Sequence, residues 1–212
     1  MDTPEEADGY NAMDHSGPNA SFLERLVSLG AFGRMLDMGT GPGHIPLLGC
    51  DIFPDATFVG IDLADHMLRH AHRRLADSRH QDRVEFRRAD AKKLEFDDSS
   101  FDTVFSNTIL HHIPDPRPFL AEARRVLRPG GVLLIRDLFR PSDEETVRRL
   151  VRTYAGEETE YNQELFRASL CAAFEPDEFR ALADEAGLAS AELVIDTDRH
   201  MSLQLAVAPE PA

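Results

Sequence analysis

Short apolar runs alternate with stretches of helical spacing along most of the chain. The runs predict seven strands, near residues 34–38, 57–62, 84–89, 101–106, 131–137, 192–197 and 202–208. Apolar residues three and four apart predict helices near 19–30, 44–52, 64–77 and 116–128. Because strands and helices alternate, we expect an α/β fold whose seven-stranded, mostly parallel sheet carries helices on both faces.

This rhythm changes after residue 137, because the fifth and sixth predicted strands are much further apart than one crossover helix requires. Helical spacing recurs there over 147–154, over 165–174 and from Phe179 to a stop at Gly187. We take the third helix as the crossover and the first two as an insertion. Ligands of open α/β sheets bind beyond the carboxyl ends of the strands, so residues 139–174 are expected to cap a substrate. A helical hairpin without that role is the alternative.

Composition favours one compact domain over residues 1–212, since 42% of the residues are hydrophobic and 29% are charged. No apolar run is long enough to span a bilayer, and the start of the chain is acidic where a signal peptide would be basic. Cys50 and Cys171 fall far apart in predicted helices. We therefore expect a cytoplasmic protein whose cysteines stay reduced.

The net charge of −15 argues against nucleic acid as a partner. The main basic cluster, Arg69–Arg74, belongs to a predicted helix whose apolar residues form a separate stripe, so its charges are interpreted as a solvated face. His66 and His70 are four residues apart and have no third ligand at a familiar spacing. We expect no metal site, and the oligomeric state stays open.

Three glycines at alternate positions follow the first predicted strand, within the segment Arg34–Gly43. Glycine permits a sharp turn and lets a ligand approach the backbone closely. A dinucleotide site would need its third glycine one residue later, where the chain has His44. The spacing, Asp-x-Gly-x-Gly-x-Gly from Asp37, therefore indicates a nucleotide-cofactor loop and argues against nicotinamide dinucleotides.

The pattern resembles the first motif of class I S-adenosylmethionine-dependent methyltransferases, in particular the small-molecule enzymes that methylate quinone precursors. Further matches follow in the family's order: Phe58–Asp62, Val84–Ala91, Phe101–Asn107 with Leu110–Asp115, and Ala123–Gly131. The resemblance implies a Rossmann-like fold, S-adenosyl-L-methionine as cofactor and a small-molecule methyl acceptor.

The resemblance also assigns candidate cofactor residues. They are Asp37, Gly39, Thr40, Gly41, Gly43, Asp62, Leu63, Met67, Asp90, Ala91 and Asn107. Asp62 closes a strand about 20 residues after the glycines, where a carboxylate can accept both ribose hydroxyls. In this family the acid at Asp90 lies beside the adenine amino group, although an acid at a strand end is more often a cap or turn residue. Residues 1–18 are a possible lid over the cofactor.

Candidate catalytic residues follow the fourth strand. If the turn after it is helical, Asn107 and His111 share one face toward the cofactor and His112 points into the interior. We expect His111 to be the general base, since a histidine near neutral pKa suits deprotonation of an acceptor. The alternative is that both histidines only pack the turn before Pro114.

The acceptor itself is not identified by any motif, and oxygen, nitrogen, sulfur and carbon all stay open as the methylated atom. Basic and aromatic residues that are candidates to line its site are Arg136, Arg140, Tyr161, Arg167, Arg199 and His200. They favour a polar or anionic acceptor. A protein of the same fold that binds the cofactor without methylating anything is the second hypothesis.

Overall fold

The computed structural model describes residues 8, 9 and 16–207. Its strands are β1 Arg34–Met38, β2 Thr57–Asp62, β3 Val84–Arg88, β4 Phe101–Asn107, β5 Leu127–Leu138, β6 Glu192–Ile195 and β7 His200–Leu205. They form one sheet in the order β3-β2-β1-β4-β5-β7-β6. The pairs among β1 to β5 are parallel, and β7 runs antiparallel to both of its neighbours. The predicted seven-stranded, mostly parallel sheet is confirmed.

Helices cover both faces of this sheet, as predicted. They are α1 Ser16–Ser28, α2 His44–Ile52, α3 Asp65–Ala76, α4 Arg117–Val126, α5 Glu144–Ala155, α6 Glu160–Ala172 and α7 Pro176–Glu185, with a short 3-10 turn at Leu110–His112. One core joins the sheet to α4 and α7, through Phe119 and Phe179. The other joins it to α1, α2 and α3, through Phe22, Ile45 and Leu68.

Two element boundaries differ from the sequence prediction for local reasons. Helix α6 begins at Glu160 because the side chain of Thr159 accepts a hydrogen bond from the backbone N–H of Asn162, which caps a turn that carries few apolar residues. Strand β5 begins at Leu127, where a helix was expected to continue. Its register against β4 shifts just after Leu127, and Gly130 has a φ of 78°, so the strand reaches its regular part through an irregular bend.

The insertion between β5 and the crossover helix α7 is the predicted pair of helices. Helices α5 and α6 pack on each other around a small core of their own, formed by Leu138, Val147, Leu150, Leu170 and Ala173. Helix α6 contacts the 3-10 turn that follows β4. The insertion therefore stands at the carboxyl edge of the sheet, and its role as a substrate cap stays a prediction.

The start of the chain was expected to form a lid, and most of that segment lies outside the described residues. Within the part that the structure describes, no helix combines the length and the apolar content needed to cross a membrane. The two cysteines are both free thiols, Cys50 buried and Cys171 exposed.

Candidate active site

One cavity of about 380 Å³ lies at the carboxyl ends of β1, β2, β3 and β4. The strand order reverses direction between β1 and β4, which is where open α/β sheets bind their ligands. Every predicted cofactor residue except Gly43 lines this cavity: Asp37, Gly39, Thr40, Gly41, Asp62, Leu63, Met67, Asp90, Ala91 and Asn107. The structure thus brings together four segments that are far apart in the sequence.

Backbone hydrogen bonds to β2 fix the position of the glycine loop. The N–H groups of Gly39 and Thr40 donate to the carbonyl oxygen of Ile61 at 2.9 Å and 2.8 Å. Gly39 has a φ of 89°, and a Cβ atom there would collide with the side chain of Ile109. The loop therefore needs glycine both for its backbone conformation and for its contact with the segment that follows β4.

Gly43 lies outside the cavity lining, and its assignment as a cofactor residue stays a prediction. It is the N-cap of α2 with a φ of 78°, and a Cβ atom there would lie 2.5 Å from Cζ of Phe86 and 2.9 Å from Cβ of Ala71. Close packing of α2 against β3 and α3 explains this glycine. The sequence motif does not separate that packing role from contact with a ligand.

Asp62, at the end of β2, is fixed by two backbone donors. Its Oδ2 accepts from the N–H of Gly41 and its Oδ1 from the N–H of Ala64, each at 2.9 Å. Burial raises the pKa of this carboxyl, and these backbone hydrogen bonds oppose the rise. A carboxylate anchored to both the glycine loop and the start of α3 is well placed to accept hydrogen bonds from a ligand in the cavity.

Asp37, at the end of β1, is the most perturbed acid of the cavity. It is 1% exposed, and its Oδ2 has no hydrogen-bond partner among the described residues. Burial raises its pKa to about 7; the Thr40 hydroxyl opposes this rise, and the charge of Asp62 adds to it. An unpartnered buried carboxylate oxygen in a cavity wall calls for a donor or a cation from a ligand.

Asp90, after β3, lines the cavity near its mouth. Its Oδ1 accepts from the backbone N–H and from Nζ of Lys92, both at 2.9 Å. The side-chain bond from Lys92 lowers the pKa of Asp90 and keeps it ionised. Asp90 therefore has a local turn-forming role in addition to its place in the lining, and contact with adenine stays a prediction.

The expected orientation of the two histidines is wrong. His112 lines the cavity, and His111 is buried, with a side chain 3% exposed. The turn after Asn107 is not helical, because Thr108 adopts a φ of 62° and regular 3-10 geometry starts only at Leu110. This left-handed residue rotates the following segment, so Asn107 and His112 reach the cavity while His111 points away.

His111 instead forms a buried pair with Asp137, near the end of β5. Nδ1 of His111 lies 2.6 Å from Oδ1 of Asp137. The same carboxylate accepts from the backbone N–H groups of Leu110 and His111, and from that of Leu138. Asp137 thus fixes both the backbone of the 3-10 turn and the ring of His111.

His112 is the histidine that a ligand in the cavity would meet. Its ring centroid lies 4.0 Å from that of His111. Burial, and then the neighbouring His111, lower the pKa of His112 to about 4. His112 is therefore neutral at physiological pH, and one of its ring nitrogens is available to accept a proton or a hydrogen bond.

Several lining residues were not identified from the sequence. Asn19 is the most informative, since this buried amide in α1 lies on the apolar stripe that continues through Phe22, Leu23 and Leu26. A polar residue on a buried helical stripe was the signal that could have identified it. The others are Pro42, His44, Ile45, Ile61, Ala64, Ala89, Lys92, Thr108, Ile109, His112, Ile113 and Pro114.

None of the six predicted acceptor residues lines this cavity. Three of the arginines are engaged: Arg140 by Glu175 and Glu178, Arg167 by Glu144 and Glu164, and Arg199 by Asp198 and the ring of Tyr154. Tyr161 is exposed on α6. Arg136 and His200 lie together near the ends of β5 and β7.

The described residues contain no group of three or more histidine, cysteine or acidic side chains that could hold a metal ion. His70, one of the two histidines considered from the sequence, lies with Nε2 2.9 Å from Oδ1 of Asp8.

The strand order and the glycine-lined cavity at its switch point define the class I methyltransferase arrangement. Residues 36–135 match the family model described as a methyltransferase domain.

The curated relatives include methyltransferases. The chain is 37% identical over 115 residues to 27-O-demethylrifamycin SV methyltransferase of Amycolatopsis mediterranei, covering 54% of this chain and 42% of that protein. It is 35% identical over 147 residues to trans-aconitate 2-methyltransferase of Methylobacterium nodulans, covering 69% of this chain and 53% of the relative. The match thus spans about half the length of these relatives.

Solved structures share the fold. Phosphoethanolamine N-methyltransferase 2 of Haemonchus contortus, in complex with S-adenosyl-L-methionine, has a TM-score of 0.68 at 25% identity, covering 86% of this chain and 39% of that one. A SAM-dependent methyltransferase from Aquifex aeolicus has a TM-score of 0.70 at 16% identity, covering 97% and 99%. This second likeness concerns the fold alone.

Proposed function

We propose that this protein is an S-adenosylmethionine-dependent methyltransferase that methylates a small molecule. The observation that carries the proposal is the cavity at the switch point of the sheet, which gathers the acids and the glycine loop of four separate segments. The domain match over residues 36–135 supports the same function.

The chemistry of the cavity fits the cofactor. Asp62 would accept hydrogen bonds from the ribose hydroxyls, and the unpartnered Oδ2 of Asp37 would meet the ammonium group of the amino acid part. Leu63 is 47% exposed although it is apolar, and with Met67 it offers a surface for the adenine ring. When bound, the cofactor supplies an activated methyl group on a sulfonium.

The residues at and after the end of β4 would contact the methyl acceptor and take its proton. We propose that His112, and not His111, takes the proton that the acceptor loses, because His112 lines the cavity and stays neutral at physiological pH. His111 and Asp137 then act as positioning residues that fix the 3-10 turn. Asn107, also in the lining, is a polar contact for the reacting groups.

The rest of the chain would enclose the acceptor and select small molecules. The contact of helix α6 with the 3-10 turn that carries His112 supports a role for residues 139–174 as a cap that covers the acceptor and limits the entry of water. A net charge of −15 disfavours nucleic acid as the acceptor.

Calorimetry with S-adenosylmethionine, S-adenosylhomocysteine and NAD tests the cofactor. We expect the first two compounds to bind and NAD not to bind. Asp62→Asn should weaken the binding of S-adenosylhomocysteine by about 10- to 100-fold. This corresponds to the loss of about 1.4 to 2.7 kcal/mol, as for a charge-assisted hydrogen bond. Asp65→Asn, an exposed acid at the start of α3, is the matched control.

Release of labelled methyl groups into a panel of small metabolites then separates an enzyme from a protein that only binds the cofactor. Tight binding of NAD, or cofactor affinity that does not change in Asp62→Asn, would contradict the proposal. Cofactor binding without methyl transfer to any compound of the panel would favour the binding protein.

A further inference from the structure

Arg136, in β5, is a buried arginine whose guanidinium makes no hydrogen bond within the described part of the chain. The residue is 8% exposed, and its Nε is fully buried without a partner. The nearest carboxylate oxygen is Oδ2 of Asp196, 3.9 Å from Nε, which is beyond hydrogen-bond distance. The other oxygen of Asp196 accepts from Arg25 at 3.4 Å, so two arginines share one carboxylate.

The location of Arg136 places it next to the candidate active site. In the sheet it pairs with Asn107 of β4 on one side and with Ser202 of β7 on the other. Paired positions on neighbouring strands direct their side chains to the same face, and neighbouring strands lie roughly 4.8 Å apart. Asn107 lines the cavity, so Arg136 lies on the strand next to the one that forms this part of the cavity wall.

The surroundings of Arg136 carry an excess of positive charge in an otherwise acidic chain. Arg25, Arg136, Arg149 and Arg199 are placed around two carboxylates, Asp196 and Asp198. Burial lowers the pKa of Arg136, attraction to Asp196 opposes this, and Arg199 and Arg25 add to the lowering. A buried cation with so little compensation is costly for stability, which is typical of a residue retained for a ligand.

Neighbouring groups do not remove this excess. Burial lowers the pKa of His200 to about 3, so this residue of β7 is neutral. Asp137 adjoins Arg136 in β5 but is engaged with the 3-10 turn that bears His111. Arg199 is already held by Asp198 and Tyr154. Among the arginines predicted to line the site of the methyl acceptor, Arg136 is thus the one whose guanidinium makes no hydrogen bond within the described residues.

We propose that Arg136 binds an anionic group, a carboxylate or a phosphate, that the methyl acceptor carries. The planar guanidinium matches an oxyanion in a two-point hydrogen bond, and burial strengthens that interaction relative to water. This inference rests on the proposed function, because it concerns the acceptor of the same reaction. A contact of this kind would make the protein select acidic metabolites over neutral ones.

The test compares anionic and neutral probes on the complex of the full chain with S-adenosylhomocysteine. Calorimetry measures the binding of 4-hydroxybenzoate, of 4-hydroxyphenyl phosphate and of the neutral isostere 4-hydroxybenzamide. We expect at least one anion to bind tenfold or more tightly than the amide, and comparison of the two anions separates carboxylate from phosphate. Arg136→Met should abolish that preference, and Arg136→Lys should retain part of it.

Arg148→Met is the matched control, because it removes the same charge from the exposed side of α5. The affinity for S-adenosylhomocysteine shows whether each variant is folded; if Arg136→Met is not, the wild-type comparison of anions with the amide decides. Equal binding of anions and amide, no saturable binding of either anion, or an unchanged preference in Arg136→Met would overturn the inference and show that Arg136 only pairs with Asp196. Failure of the wild type to bind S-adenosylhomocysteine would instead overturn the proposed function, and this inference with it.

Discussion

The raised pKa of Asp37 makes a specific prediction for cofactor binding. Burial places this pKa at about 7, so the carboxyl of the free protein is largely protonated at pH 5.5. A ligand whose ammonium group faces Asp37 favours the ionised form. Below pH 7 binding must therefore release a proton from Asp37, and the apparent affinity should fall as the pH falls.

The magnitude follows from the fraction of Asp37 that is ionised before the ligand binds. With a pKa of about 7, roughly 76% is ionised at pH 7.5 and roughly 3% at pH 5.5. If the bound form is fully ionised, affinity for S-adenosylhomocysteine should fall about 25-fold between these two values, which is about 1.9 kcal/mol. Asp37→Asn should bind more weakly at pH 7.5 and should lose this dependence.

Calorimetry at both pH values, in two buffers of different ionisation enthalpy, measures the affinity and the proton released. The control ligand is 5′-methylthioadenosine, which has no amino acid part and should show little pH dependence. A change of less than about threefold for the wild type, or an equal change in Asp37→Asn, would refute the assignment of Asp37 as the ammonium partner.

Three further predictions concern packing and catalysis. Gly43→Ala should lower the free energy of unfolding by about 1–3 kcal/mol more than Gly130→Ala, because both glycines have a φ of 78° but only Gly43 is crowded; denaturant titration measures this. His112→Gln should lower kcat at least 100-fold and leave the affinity for S-adenosylhomocysteine unchanged. The kcat of the wild type should fall only when the pH approaches 4, because His112 becomes protonated there. A fall of kcat near pH 6.5 would point to another base. Asp137→Asn should lower kcat by a larger factor than it changes KM, and it should shift the pH at which kcat falls. A purely structural Asp137 would change the stability of the protein without shifting that pH.

The cofactor side of the site was predictable because its residues are set by backbone geometry. A glycine loop after a strand, and acids at the ends of the next strands, meet at the switch point of any such sheet. Asp37, Asp62 and Asp90 therefore line one cavity, although they are far apart in the sequence. Gly43 does not line this cavity, and a glycine required by Phe86 has the same appearance in the sequence as one required by a ligand.

The acceptor side was not predictable, because it depends on single backbone torsions and on distant pairing. One left-handed residue, Thr108, exchanges the expected orientations of His111 and His112. The partner of His111 is Asp137, and nothing in the spacing of these two residues indicates that they meet. Arg136 likewise becomes distinctive only once the turn between β6 and β7 brings Asp196 near it.

The charges of the cavity favour a cationic cofactor, which adds a second argument to that from the glycine spacing. Asp37 and Asp62 lie close enough for the charge of one to raise the pKa of the other, and both are largely removed from water. Lys92, the lysine of the lining, is already bound to Asp90. A dinucleotide would bring its negative pyrophosphate against these carboxylates, whereas a sulfonium amino acid brings positive charge that offsets their repulsion. Ligand binding should therefore remove an electrostatic cost that the free protein bears, so at equal free ligand concentrations the apparent stability should rise more with S-adenosylmethionine than with 5′-methylthioadenosine.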